Sequence, residues 1–270
     1  MRLGKKIILI ILIIILVGSV VGICDYMFRQ NEAKDANERL KEIASVDVNT
    51  ADKSVDDGGS EKGSSDEATE KNEFVSPINF TALKQENSDI YGWIRIDDTV
   101  IDYPILQSST DEPDYYADHT VDNAEGYPGA IFTESDLNTN PFEDNVTVIY
   151  GHRMKDDTMF GSLDLWQEDE YRDAHSSIKI YTENHTYTYE ITFVQIYDTR
   201  NILAKYDCST QKGYSEFLSS LENVHSIPYW HSSKTQMTTD DHIIVLSTCY
   251  GDNRLLVGAV LTEKDEKETY

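Results

Sequence analysis

The sequence predicts a mainly β globule, a barrel of about eight strands with peripheral helices, preceded by an N-terminal transmembrane helix. Three observations carry this. Ile7 to Ile23 is a run of 17 residues without a charge. Further on, short runs rich in β-branched and aromatic residues alternate with turn signals. Within one of them the in–out alternation slips by one residue at Phe193-Val194, as a bulge or bend in a strongly curved sheet produces.

The apolar run would make about 25 Å of helix, a little short of a bilayer core of roughly 30 Å, but Lys5 and Lys6 can snorkel and Tyr26 and Phe28 can sit at the far interface. A cleaved signal peptide would want a shorter apolar stretch and an A-x-A site, and no such site follows. An uncleaved, single-pass anchor fits better. Arg2, Lys5 and Lys6 then hold the N-terminus in the cytoplasm and leave residues 25–270 outside. Bulky Ile23 ahead of Cys24 argues against lipoprotein processing.

Residues 26–45 carry Ala33, Ala36, Leu40 and Ile43 at helical spacing, which suggests a short helix leaving the membrane. Residues 46–73 are rich in Asp, Glu, Ser and Gly and nearly devoid of large apolar side chains, the composition of a flexible tether. Three parts are therefore expected: a cytoplasmic tip and anchor at 1–24, a helix and acidic linker at 25–75, and a globular domain at 76–270. In the globular part 80–90 suggests a short helix, and 93–96 and 100–106 two strands around a turn at Asp97-Asp98. Strands are expected again at 130–133, 146–150, 178–182, 187–196, 243–246 and 255–261. Helical spacing at 159–166 and 214–224 predicts two helices outside the sheet.

Composition narrows function. The 270-residue chain has 23 basic and 49 acidic residues, a net charge of -26, so a grip on nucleic-acid phosphates is excluded as a working idea. Cysteines at 24, 208 and 249 give neither a disulfide framework nor a C-x-x-C zinc site.

One thiol stands in a suggestive context. In IIVLSTCYGDNRLLVGAV, Cys249 ends one apolar strand and Arg254 opens the next, with turn-forming Tyr250-Gly251-Asp252-Asn253 between them. Residues opposed across such a hairpin have Cβ atoms about 5 Å apart, which brings a guanidinium beside a thiol. A cation there favours the thiolate and can hold an oxyanion. A buried strand-end cysteine beside a surface arginine would leave the same trace in the sequence. Among the seven histidines, His152 follows the strand 146–150 through Gly151, a strand exit from which an imidazole can reach a groove.

LSTC at 246–249, the arginine opening the following strand and YGHRM at 150–154 together resemble the sortases, membrane-anchored cysteine transpeptidases of Gram-positive bacteria. Within them the chain is similar to class B, with IYGWIRIDDTVIDYPILQ at 90–107, DYYADH at 114–119, GAIF at 129–132 and VIYGHRMKDDTMFGSL at 148–163 in the family's order. The likeness covers about 78–262. Four residues separate Cys249 from Arg254, fewer than class B members usually have.

The resemblance implies a closed sortase-type barrel and a catalytic set of Cys249 as nucleophile, His152 as acid and base, and Arg254 as oxyanion partner. Ser247 and Thr248 become candidate substrate-binding residues, Ser247 the better because it shares a strand face with Cys249. It further implies cleavage of an NPxT-type sorting signal after Thr and transfer of the thioacyl group to a peptidoglycan amine, cysteine chemistry that needs no metal and no cofactor. The partners would be surface proteins bearing the signal, the wall precursor and the membrane. A cysteine protease that only hydrolyses, a pilin-polymerising sortase and a non-enzymatic surface binding protein are the rival readings.

Overall fold

The computed structural model describes residues 2–45, 75–223 and 229–266. Helix α1 (Arg2–Ser45) continues without a break across position 24–25. From Ile8 to Ile23 it is exposed, and from Ile8 on it is long and apolar enough to cross a membrane. Its second half is docked on the globule, with Ala33, Ala36, Leu40 and Ala44 buried. These positions recur at helical spacing, so they form one stripe along the helix. Beneath the stripe lie Leu83 of α2 (Phe80–Glu86), Trp93 and Leu106. The acidic stretch expected to act as a tether, 46–73, lies outside the described residues. Its flanks are nevertheless joined, since the Asn79 amide donates to the Ala44 carbonyl at 3.2 Å.

The strands are β1 (Ile90–Arg95), β2 (Asp102–Gln107), β3 (Phe132–Thr133), β4 (Val146–Tyr150), β5 (Ser177–Tyr181), β6 (His185–Tyr197), β7 (Tyr229–His231), β8 (Ile243–Tyr250) and β9 (Asn253–Glu266). Eight of them close a barrel in the order β5-β1-β2-β3-β4-β8-β9-β6, sealed where β6 pairs with β5, and β7 extends the sheet along the later part of β6. The β2–β3 and β4–β8 pairs are parallel and the others antiparallel. Closure leaves no long free edge, and the interior fills with alternate side chains of each strand.

The two faces separate cleanly by parity. On β8, Ile244 and Leu246 belong to the interior cluster, and Ile243 and Val245 to an outer cluster under α5 (Gln211–Glu222). On β6, Tyr187, Tyr189 and Ile191 point inward, Phe193 outward and Val194 inward again. The parity change coincides with a register shift against β9 between Ile191 and Phe193. Gly258 faces Phe193 there, and a Cβ on it would lie 1.9 Å from the ring. The aromatic therefore occupies the place of the missing side chain.

Two connections differ from expectation. The helix expected at 159–166 is a 3-10 helix at Gly161–Gln167, and its buried Leu163 and Trp166 join the interior cluster instead of packing outside. α5 begins earlier, at Gln211, because the Thr210 hydroxyl accepts from the Gly213 amide and caps it. Short helices α3 (Asp169–Ala174) and α4 (Ile202–Lys205) complete the fold.

Candidate active site

β8 and β9 form a hairpin in which Tyr250 pairs with Asn253, so only Gly251 and Asp252 make the tip. Gly251 has φ of +59° with open space around it. Its lack of a side chain thus serves the left-handed conformation that a two-residue turn demands. One rung further in, Cys249 and Arg254 are direct partners, and Arg254 Nη1 lies 3.3 Å from Cys249 Sγ. Cys249 is exposed. The guanidinium is thus placed to meet negative charge on the sulfur or on an oxygen of a carbon that the sulfur attacks.

His152 reaches the same groove from the end of β4. The ladder with β8 continues one step past the strand, where the Gly151 amide donates to the Ser247 carbonyl at 3.2 Å and the Thr248 hydroxyl donates to the Gly151 carbonyl at 2.7 Å. A Cβ at Gly151 would lie 2.5 Å from Ile131 Cδ1 and 2.7 Å from the Phe160 ring, so this close approach needs glycine. Beyond it the His152 Nε2–H donates to the Ala117 carbonyl at 2.7 Å. The Tyr127 ring meets the imidazole edge-to-face, with centroids 4.8 Å apart.

Ser247 and Cys249 lie on the outward face of β8 and both line the groove. Thr248 does not: its side chain is fully buried and its hydroxyl is committed to Gly151. The other arginines near the site are occupied. Arg153 binds Asp164 and lies over the Tyr250 ring, and Arg200 binds Asp198. Cys208 is buried, which pushes its thiol up to about 12.

Three features of the groove left no clear trace in the sequence. One is the Ala117 carbonyl, a backbone group, although it falls inside DYYADH. Another is Tyr127, which contacts His152 from a segment distant in the chain. The third is Glu134 on the groove wall, whose carboxyl is held above the usual range by burial. It accepts from the Asn201 amide at 2.6 Å and from the Tyr150 hydroxyl.

The Sortase domain family model matches residues 94–262. Sortase B of Listeria monocytogenes serovar 1/2a is 33% identical over 187 residues, covering 67% of this chain and 73% of the relative. Sortase B of Staphylococcus aureus is 27% identical over 177 residues, covering 66% and 69%. Among solved structures, sortase B from B. anthracis superposes with a TM-score of 0.58 at 34% identity, covering 68% of this chain and 84% of that one. A sortase B–substrate complex from Staphylococcus aureus gives 0.57 at 25% identity, with the same coverage of 68% and 84%.

Proposed function

The chain belongs to the sortase family and within it to class B, a cysteine transpeptidase, and on that premise we propose that it joins surface proteins to cell-wall peptidoglycan by cutting an NPxT-type sorting signal after Thr. The observation that carries this reading is the 3.3 Å contact between Arg254 Nη1 and Cys249 Sγ in a groove that also receives His152.

Cys249, as thiolate, attacks the Thr carbonyl carbon, and the carbonyl oxygen takes the negative charge beside Arg254. The C–N bond breaks as protonated His152 gives its proton to the leaving amine, and a thioacyl enzyme remains. A peptidoglycan amine then attacks the thioester carbonyl, neutral His152 takes the proton from that amine, and the Cys249 thiolate departs. Ser247, on the same strand face, contacts the bound signal; Thr248 acts only through the Gly151 carbonyl it holds. Residues 76–270 form the catalytic domain, residues 25–75 its helix and acidic linker. Ile7–Ile23 anchors the chain in the cell membrane by a single pass, with residues 1–6 cytoplasmic and the domain outside.

The test is mass spectrometry of the full chain in detergent micelles with Asn-Pro-Gln-Thr-Asn and Asn-Pro-Gln-Thr-Gly peptides, using native protein and Cys249→Ala. An acyl adduct or cleavage after Thr that vanishes in the variant is expected. Absence of both with either peptide overturns the proposed signal. Adding a wall-type amine should divert the acyl group from water to the amine; hydrolysis indifferent to the amine would favour a protease.

A further inference from the structure

Among the described residues, the two groups that meet the His152 imidazole come from one segment, 117–127. The Ala117 carbonyl accepts from Nε2–H at 2.7 Å, and the Tyr127 ring packs edge-to-face at 4.8 Å. A single hydrogen bond leaves an imidazole free to swing about it; a second contact on the ring fixes its plane. Tyr127 is itself 36% exposed beside the site. Burial raises its hydroxyl pKa, with Tyr26 and Cys249 among the neighbouring groups that add to the shift.

The segment itself is clamped from two sides. Toward the barrel, fully buried Tyr116 shares its hydroxyl among Asn87, Asp89 and Asn123. Toward α1, Arg29 Nη1 donates to the Glu125 carbonyl at 3.0 Å, Arg39 pairs with Asp122 at 2.6 Å, and the Tyr26 ring stacks on Tyr127 with centroids 6.0 Å apart. Tyr26, Tyr127 and His152 thus form a continuous row of rings from the helix to the groove.

Resting on the function proposed above, we infer that Tyr127 is a positioning residue for His152 and that α1 holds it in place. The ring keeps the imidazole aimed at the amine that leaves when Cys249 is acylated, and the helix keeps the ring against the imidazole. Loss of Tyr127 should then harm only steps that need the proton.

The test compares two acyl donors on the full chain in detergent micelles: the peptide Asn-Pro-Gln-Thr-Asn, whose leaving amine must be protonated, and an Asn-Pro-Gln-Thr thioester, whose leaving thiolate need not be. For Tyr127→Ala, the single-turnover rate of Cys249 acylation by the peptide should fall about tenfold or more with half-saturation unchanged, and acylation by the thioester should stay within about twofold of native; release of the acyl group, which needs His152 with either donor, is not part of this readout. Tyr127→Leu, which keeps bulk without a ring, should behave similarly, and Tyr127→Phe should restore the rate. Tyr26→Ala and Arg29→Ala should show the same selectivity with losses of about two- to threefold. Equal loss on both donors, or a native peptide rate in Tyr127→Ala and Tyr127→Leu, overturns the inference. A native chain that forms no Cys249 adduct with either donor removes the parent reading instead, and this one with it.

Discussion

Arg254 meets Cys249 because the two are cross-strand partners one rung from a two-residue hairpin tip, not because a long loop delivers the arginine. The contact is therefore as rigid as the barrel wall. Arg254→Ala should lower the rate of Cys249 acylation by about 10²–10³-fold, the usual cost of losing an oxyanion donor. Arg254→Lys should recover only part of it, since an ammonium lacks the planar fork. Rapid-quench measurement of the acyl adduct reads both; a native rate in Arg254→Ala would exclude the arginine from the chemistry.

Gly251 sets that hairpin through conformation alone. Gly251→Ala meets no atom but must hold φ of +59°, at a cost of about 1 kcal/mol. We expect a drop of a few degrees in Tm together with slower acylation. A lower Tm with an unchanged rate would mean that the tip does not govern Arg254.

Gly151 has the opposite problem, being limited by space. In Gly151→Ala the new Cβ meets Ile131 and the Phe160 ring, so the chain must shift just before His152. Overpacking of this kind costs about 1–3 kcal/mol. Chemical denaturation should show that loss, and peptide cleavage should fall more than the stability change explains.

The thiols should separate by reactivity. With its pKa at about 12 through burial, Cys208 stays protonated and covered at neutral pH. In a Cys24→Ser background, iodoacetamide at pH 7.5 should label Cys249 alone in the folded protein and both cysteines after unfolding. Labelling of Cys208 in the native state would contradict its burial.

Glu134 gives a pH signature. Its folded pKa lies above the unfolded value, so the folded state binds the extra proton between the two. Stability from this group is present below the ordinary carboxylate pKa and is lost as pH rises through the raised one. Glu134→Gln should therefore raise Tm at pH 7 and flatten the pH dependence across that interval. Calorimetry of both proteins from pH 4 to 8 is the check, and identical curves would refute it.

The barrel was legible because its inner face is written by parity. The alternating letters put the slip at Phe193-Val194, and in space the register shifts just before it, between Ile191 and Phe193, at the bulge opposite Gly258. The Cys249–Arg254 pairing was legible because a hairpin turns sequence spacing into contact. What could not be read depends on long-range packing. Leu163 and Trp166 have helical spacing, yet a 3-10 turn lets them enter the interior cluster. Ala33, Ala36 and Leu40 announce an apolar stripe without saying what it covers. Nothing local to Tyr127 or Ala117 reveals that both end on one imidazole.

The docked helix also changes what the acidic stretch 46–73 can do. As a free tether of 28 residues it would let the domain wander about 30 Å from the bilayer. Yet Ala44 and Asn79, which flank it, are hydrogen-bonded to each other, so the distance from α1 to the domain does not depend on its length. Height is set by α1 instead: Tyr26, which touches Tyr127, lies only three residues past Ile23, about 4.5 Å of helix rise. With Ile7–Ile23 in the membrane as proposed, Tyr127 and the side of the domain that carries it ride at a constant level among the lipid headgroups. A substrate held in the same bilayer then has to find the enzyme by lateral diffusion alone, a search in two dimensions instead of three.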